Sequence, residues 1–179
     1  CTRADMVKIG IGSSNKYNAR NPFTAEESQA MVAAYLKDRF VNYEFFHVPD
    51  FAHLPEYADG RRWKEYVTQA FGQLDYVVVA NPFVEHLLAD TYRIIHPASL
   101  IPREQWIPLC ATEVRIKMAE GEDWESLVPD AVRDYLLQQG LVERFRREFS
   151  EETLAGLAAG VDYAHPGSLA AEMEHVKEE

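Results

Sequence analysis

Met6-Val7-Lys8-Ile9-Gly10-Ile11-Gly12-Ser13-Ser14 is the stretch that decides the fold. It is short, rich in aliphatic and β-branched residues, and closes on a glycine and two serines. That is the pattern of a buried strand running into a tight loop. Thr24 then opens a helical stretch with Glu26 and Glu27 in its first turn, where acidic side chains complement the helix dipole. Met31, Val32, Tyr35, Leu36 and Phe40 continue it at helical spacing. Asn42 to Val48 alternates into a second strand that stops at Pro49-Asp50. Strand, loop, helix and strand in that order begin an α/β fold.

The rest of the chain repeats the alternation. Arg61 to Phe71 reads as a helix, and Leu74 to Ala80 is the clearest strand in the sequence. Asn81-Pro82 ends that strand and starts a short helix through Leu88, and Tyr92 to Ile95 is a fourth strand. Residues 97–109 hold three prolines and read as loop, with a brief strand near Trp106. Thr112 caps a helix containing Val114, Arg115 and Met118. Pro129 and Asp130 open another that stops at Gly140, and Arg144 to Leu157 is helical. The expected organisation is an α/β domain over 1–149 with a mainly parallel, Rossmann-like sheet, then a C-terminal helix and acidic tail over 150–179. Ligands in such sheets sit beyond the carboxyl ends of the strands, so the residues just after each strand carry the interest.

Composition narrows the function classes. The chain has 179 residues, 47% hydrophobic and 26% charged, with a formal net charge of −11. This is ordinary globular composition, long enough for a sizeable core. The acidic balance argues against a nucleic-acid-binding surface, although a few placed donors can still hold a small anion. No apolar run approaches the roughly 20 residues that span a bilayer. The two cysteines, Cys1 and Cys110, lack metal-type spacing, which suits a reducing, cytoplasmic setting. None of the six histidines pairs at the spacing of a helical metal site, so no protein metal site is expected.

Four places could carry chemistry. Gly12-Ser13-Ser14-Asn15 could let backbone N–H groups approach a phosphate, or could be turn chemistry alone. Asn81 could read a ribose or base edge, or simply cap the helix that follows. Trp63 could stack on an aromatic base or belong to the core. In Cys110-Ala111-Thr112-Glu113-Val114-Arg115, a helix start, a hydroxyl and a guanidinium one turn later suit a nucleoside triphosphate. The same residues could equally make a capped helix with a surface ion pair.

Taken in order, Ile9-Gly10-Ile11-Gly12-Ser13-Ser14, Asn21-Pro22-Phe23-Thr24-Ala25-Glu26, Ala80-Asn81-Pro82 and Ala111-Thr112-Glu113-Val114-Arg115 resemble the archaeal-type nicotinamide-nucleotide adenylyltransferases of the nucleotidyltransferase superfamily. Glu122 to Pro129 resembles the segment that follows in that family, and the likeness runs from about Lys8 to about Arg147. The resemblance implies a Rossmann-like parallel sheet and transfer of an adenylyl group from ATP to nicotinamide mononucleotide, giving NAD and pyrophosphate. It implies that Arg115 and Thr112 receive the ATP phosphates as the catalytic pair. Gly12, Ser13, Ser14 and Phe23 would then belong to the substrate-binding loops, Trp63 would lie against the nicotinamide ring, and Asn81 in a nucleotide-contacting loop. Mg²⁺ would accompany ATP, held by substrate and water. Members often assemble into homo-oligomers.

The sequence also departs from the family. The signature His-x-Gly-His is absent, and Cys1 to Asp5 matches the end of the helix that follows it. The expectation is that a strand, a turn and most of a helix are supplied from elsewhere, and that this chain alone is inactive. Ser28 stands where the family usually has an arginine, Cys110-Ala111 replaces Ser-Gly, and Ile116-Lys117 replaces a more basic pair. Three alternatives stay open. One is a nucleotidyltransferase for another phosphorylated acceptor, such as phosphopantetheine, riboflavin phosphate or glycerol phosphate. Another is a nucleotide-binding protein without catalysis. The last is a hydrolase using Cys1 as an N-terminal nucleophile, against which the strand–helix alternation argues.

Overall fold

The computed structural model describes residues 3–107 and 109–159. In chain order the elements are β1 (Val7–Ile11), α1 (Ala25–Leu36), β2 (Tyr43–His47), α2 (Arg61–Phe71), β3 (Val77–Val78), α3 (Pro82–Leu88), β4 (Ile94–Ile95), α4 (Ala111–Glu120), α5 (Asp130–Gln138) and α6 (Leu141–Ala158). The architecture is mixed α/β with short parallel sheets, as the alternation predicts. The described residues make two compact units, 3–50 with 112–159, and 51–111. The expectations for the tail beyond Gly160 lie outside the described residues.

In the first unit β1 and β2 pair in parallel from Val7↔Tyr43 to Ile11↔His47. A parallel pair needs a crossover, and α1 supplies it. An asparagine brackets each end of the ladder. Asn42 donates its side-chain amide to the Ala4 carbonyl at 2.7 Å, while its own carbonyl accepts from Val7 N–H at 2.9 Å. At the far end the Asn15 side chain acts as an extra rung, donating to the Asp50 carbonyl at 2.9 Å and accepting from Asp50 N–H at 2.7 Å. Thr24 caps α1 through a full capping box: its hydroxyl accepts from Glu27 N–H at 3.2 Å, and its own N–H donates to the Glu27 carboxylate at 2.9 Å. The helix ends at Leu36, so Phe40 lies beyond it. There Arg39 and Phe40 N–H both turn back to the Leu36 carbonyl.

The core of this unit is built on the three C-terminal helices. Met118, Trp124, Leu136, Leu141, Val142, Phe145 and Phe149 form one buried cluster, and Ala19, Phe23, Met31 and Val114 pack against it. Phe145 and Phe149, one turn apart on α6, put that helix at the centre. Gly140 ends α5 in the left-handed conformation (φ 62°) that favours glycine, which is why the predicted stop falls there.

In the second unit β3 and β4 pair in parallel as Val77↔Ile94 and Val78↔Ile95. The Leu74–Ala80 strand expected from composition thus contributes two ladder residues. Its partner sets the limit: Tyr92 N–H turns back to Leu88 on one side, and His96-Pro97 enters a 3₁₀ turn on the other. Among the described residues no strand forms near Trp106. Its N–H closes a 3₁₀ turn onto Arg103 at 3.1 Å and its indole donates to the Ile101 carbonyl at 3.0 Å, so these groups are spent locally. Gly60 precedes α2 as its N-cap with φ 79°, and side chains of α3 pack against it. A Cβ there would meet Leu87 Cδ1 at 2.5 Å and Phe83 Cζ at 3.1 Å.

Gly60→Ala therefore combines left-handed strain with overlap, costing about 1–3 kcal/mol. Thermal unfolding followed by circular dichroism should show Tm lowered by about 3–10 °C. An unchanged Tm would refute the packing of α2 on α3.

Candidate phosphate-binding site

The loop after β1 is shaped by backbone geometry. Gly12 is exposed, and a Cβ at that position would meet nothing within 4 Å, so its backbone faces open space. Ser13 holds φ at 51°, the one left-handed residue other than glycine among the described residues. A side-chain-bearing residue there costs about 1–2 kcal/mol, a kind of strain that clusters at functional loops. The Ser13 carbonyl accepts from Lys16 N–H at 2.9 Å, and Ser14 N–H donates to the Val48 carbonyl at 3.1 Å. Both serines are half-buried.

A second turn follows. Asn18 and Asn21 exchange backbone hydrogen bonds, and the Asn18 side-chain oxygen accepts from Arg20 N–H at 3.1 Å and Asn21 N–H at 2.9 Å. This leaves Arg20 exposed at the tip of the turn. Pro22 is buried and Phe23 packs against the core, so Phe23 fixes where the loop rejoins the fold.

Thr112 and Arg115 are brought together. The guanidinium Nη2 of Arg115 donates to the Thr112 hydroxyl at 2.8 Å, and Thr112 is buried. The expected role of Thr112 as N-cap is corrected: α4 begins at Ala111, so Thr112 lies inside the first turn. The hydroxyl is therefore turned to Arg115. The consequence is that the guanidinium is drawn back to the end of α4 where backbone N–H groups lack intrahelical acceptors and the dipole is positive. Anions are received at such a place.

α6 holds both elements. Arg146 Nε donates to the Met118 carbonyl in the last turn of α4 at 2.8 Å. Arg144 makes a fork to Glu27, Nη1 to Oε1 and Nη2 to Oε2, each at 2.6 Å. Its Nη2 also donates to the Pro22 carbonyl at 3.2 Å. Tyr17 donates its hydroxyl to Glu148 at 2.5 Å, meets Phe149 edge-on at 5.0 Å, and lies 5.6 Å beneath the Arg144 guanidinium. The hydrogen bonds from Arg144 hold the Glu27 carboxyl below its ordinary range, against the opposing effect of burial. The hydrogen bond to Glu148, with burial second, pushes the Tyr17 phenol up.

Tyr17 and Arg144 carry no sequence signal of their roles, and Asn15 is legible only as part of the Gly12-Ser13-Ser14-Asn15 loop. Glu27 is legible only as a first-turn acidic residue of α1, and nothing local names its partner 117 positions away.

Trp63 and Asn81 belong to the second unit. Trp63 is half-buried and lies one turn before Val67 on the face that buries Val67 and Phe71. Asn81 caps α3, its side-chain oxygen accepting from Phe83 N–H at 2.9 Å and Val84 N–H at 3.3 Å. Among the described residues no group of three or more His, Cys, Asp or Glu side chains is gathered to hold a metal ion. No described helix is long and apolar enough to cross a membrane.

Comparison with known proteins gives consistent relatives. The nicotinamide-nucleotide adenylyltransferase of Thermococcus onnurineus (strain NA1) is 31% identical over 147 residues, covering 81% of this chain and 74% of its own. That of Halobacterium salinarum (strain ATCC 29341 / DSM 671 / R1) is 32% identical over 146 residues, covering 81% and 77%. That of Thermoplasma volcanium is 28% identical over 144 residues, covering 80% and 76%. No family model matches the chain.

The Glu27–Arg144 fork has a pH signature. Because the folded carboxyl titrates below its unfolded value of about 4.3, its stabilisation is complete above that value and is lost as pH falls through the lowered one. Urea unfolding from pH 7 to pH 3 should show a steeper acid loss for the wild type than for Glu27→Gln. Parallel acid limbs would contradict the fork.

Proposed function

Since the chain belongs to the nicotinamide-nucleotide adenylyltransferase family, we propose that it joins nicotinamide mononucleotide to the adenylyl group of ATP, with α4 and the loop after β1 handling the phosphates. The observation that carries this reading is the 2.8 Å bond that folds Arg115 back onto Thr112 at the start of α4. It sets a fixed cation at the positive end of the helix dipole, suited to a polyphosphate.

The 5′-phosphate oxygen of the mononucleotide attacks the α-phosphorus of ATP. A new P–O bond forms on one face and the bond to the β-phosphate oxygen breaks on the other, releasing pyrophosphate and leaving NAD. Charge builds on the departing oxygen. Arg115, Thr112 and the α4 N–H groups answer it from positions set before the reaction, which lowers the barrier without reorganisation. No side chain need be covalently modified. A divalent cation, Mg²⁺, enters as the ATP complex and neutralises phosphate charge.

Gly12, Ser13 and Ser14 offer backbone and hydroxyl donors to the mononucleotide phosphate, and Arg20 brings a cation to the same loop, supplementing what Ser28 does not supply. Phe23 shapes the loop from its core side. Trp63 offers its indole face to the nicotinamide ring. Asn81, while capping α3, contacts the nucleotide. The reading includes a cytoplasmic setting and assembly into a homo-oligomer.

Arg115→Ala should lower kcat for NAD formation about 10²–10³-fold with a smaller change in KM. NAD formed from ATP and mononucleotide is the quantity to assay, with pyrophosphate release as its check, on protein that also carries the strand, turn and helix expected before Cys1. A kcat within twofold of wild type would end the assignment. Turnover with riboflavin phosphate or phosphopantetheine, but not with the mononucleotide, would move the acceptor. Ser13→Gly should relieve the left-handed strain and keep or raise Tm, yet raise KM for the mononucleotide about fivefold, the worth of roughly one hydrogen bond. An unchanged KM would remove Ser13 from the pocket.

A further inference from the structure

We propose that Arg144 is a positioning residue for the reaction: through Glu27, Pro22 and Tyr17 it holds the 15–24 loop in its substrate-receiving shape. This rests on the reading of that loop as the mononucleotide-binding segment.

The contacts divide the labour. α6 is already seated by Leu141, Val142, Phe145 and Phe149 in the core, so the polar face need not place the helix. What that face touches is loop. Arg144 and Glu148 lie one turn apart and pin the loop at three points. Tyr17 is held by its hydroxyl on Glu148, by the edge of Phe149 and by the guanidinium above its ring. The Pro22 carbonyl takes a hydrogen bond from Arg144 directly. Thr24 N–H is held one step away, since the Glu27 carboxylate that receives the fork also accepts from it. Between these pins stands the Asn18–Asn21 turn that presents Arg20.

The fork also commits Arg144 to protein partners. Both terminal nitrogens are engaged by Glu27, and the two side chains are 23% and 19% exposed, so the charge is neutralised in place. Its effect on the reaction is to spare the loop the entropy of ordering when substrate binds. That effect belongs to ground-state binding, and so to KM rather than kcat. A planar fork with two parallel hydrogen bonds is something lysine cannot reproduce, which separates geometry from charge.

The test uses Arg144→Gln, Arg144→Lys and a stability-matched control, Leu136→Val in the core. Hydrogen exchange of amides 15–24 and the KM and kcat for the mononucleotide are measured for each. Arg144→Gln should speed loop exchange at least tenfold and raise KM about tenfold, with kcat within twofold. Arg144→Lys should recover only part of both. Leu136→Val should lower Tm comparably and move neither. The exchange measurement reads the clamp whatever the acceptor. If the mononucleotide is not a substrate but loop exchange responds, the function fails while the clamp stands, and KM for the true acceptor should rise. Loop exchange unchanged in Arg144→Gln would overturn the proposal. So would a fall in kcat at constant KM, which would place the guanidinium on the reacting phosphates.

Discussion

A guanidinium from the last described helix closes on a carboxylate from the first turn of the first helix, and the order of the loop that leads into the first helix depends on that closure. Arg144 and Glu27 meet through two 2.6 Å hydrogen bonds where both side chains are largely shielded from water. An exposed pair of this kind contributes little, because solvent and side-chain entropy cancel most of the attraction. Shielding and fork geometry raise its worth here. The carboxylate is used twice, for Arg144 and for the N–H of Thr24, so the same group that starts α1 also ties it to α6. On a neighbouring part of α6, Arg146 holds the Met118 carbonyl of α4. One helix thereby indexes both the loop after β1 and α4, the two segments proposed to handle phosphate, and the buried aromatic pair Phe145 and Phe149 gives it a rigid seat.

The local code of the sequence was legible where the physics is local. The Thr24 cap with Glu26 and Glu27 behind it, the Asn81-Pro82 helix start and the Gly140 stop each involve groups within a few residues of one another. Strand length was less legible. Leu74 to Ala80 has the apolar, β-branched composition of a strand, but a ladder is only as long as its partner allows. Tyr92 and Pro97 shorten the partner. Thr112 misled by one position because a threonine hydroxyl can cap a helix or serve a neighbour, and here Arg115 claims it. The Arg144 fork could not be read at all. A charged residue on an amphipathic helix has the pattern of a solvated face, and its partner is fixed by tertiary packing alone.

The chemistry asked of these elements is modest in kind and demanding in placement. Adenylyl transfer between two phosphate esters needs no acyl intermediate and no redox step. It needs two highly charged reactants brought in line and the negative charge of the departing group met as it forms. A chain with net charge −11 needs cations fixed where the phosphates arrive. In the proposed site the bond between Arg115 and Thr112 fixes one of them, the asparagine-built turn presents another at Arg20, and the strained backbone at Ser13 fits a loop shaped for a ligand as well as for stability.

The central claim is a single in-line displacement at the α-phosphorus of ATP, carried out by alignment and charge neutralisation. Its most direct test is stereochemical. A single diastereomer of ATP carrying sulfur on the α-phosphorus is supplied with nicotinamide mononucleotide, and the configuration at phosphorus is read in the dinucleotide formed. Inversion is the expected result. Retention would require an enzyme-bound adenylyl group, and would contradict the account.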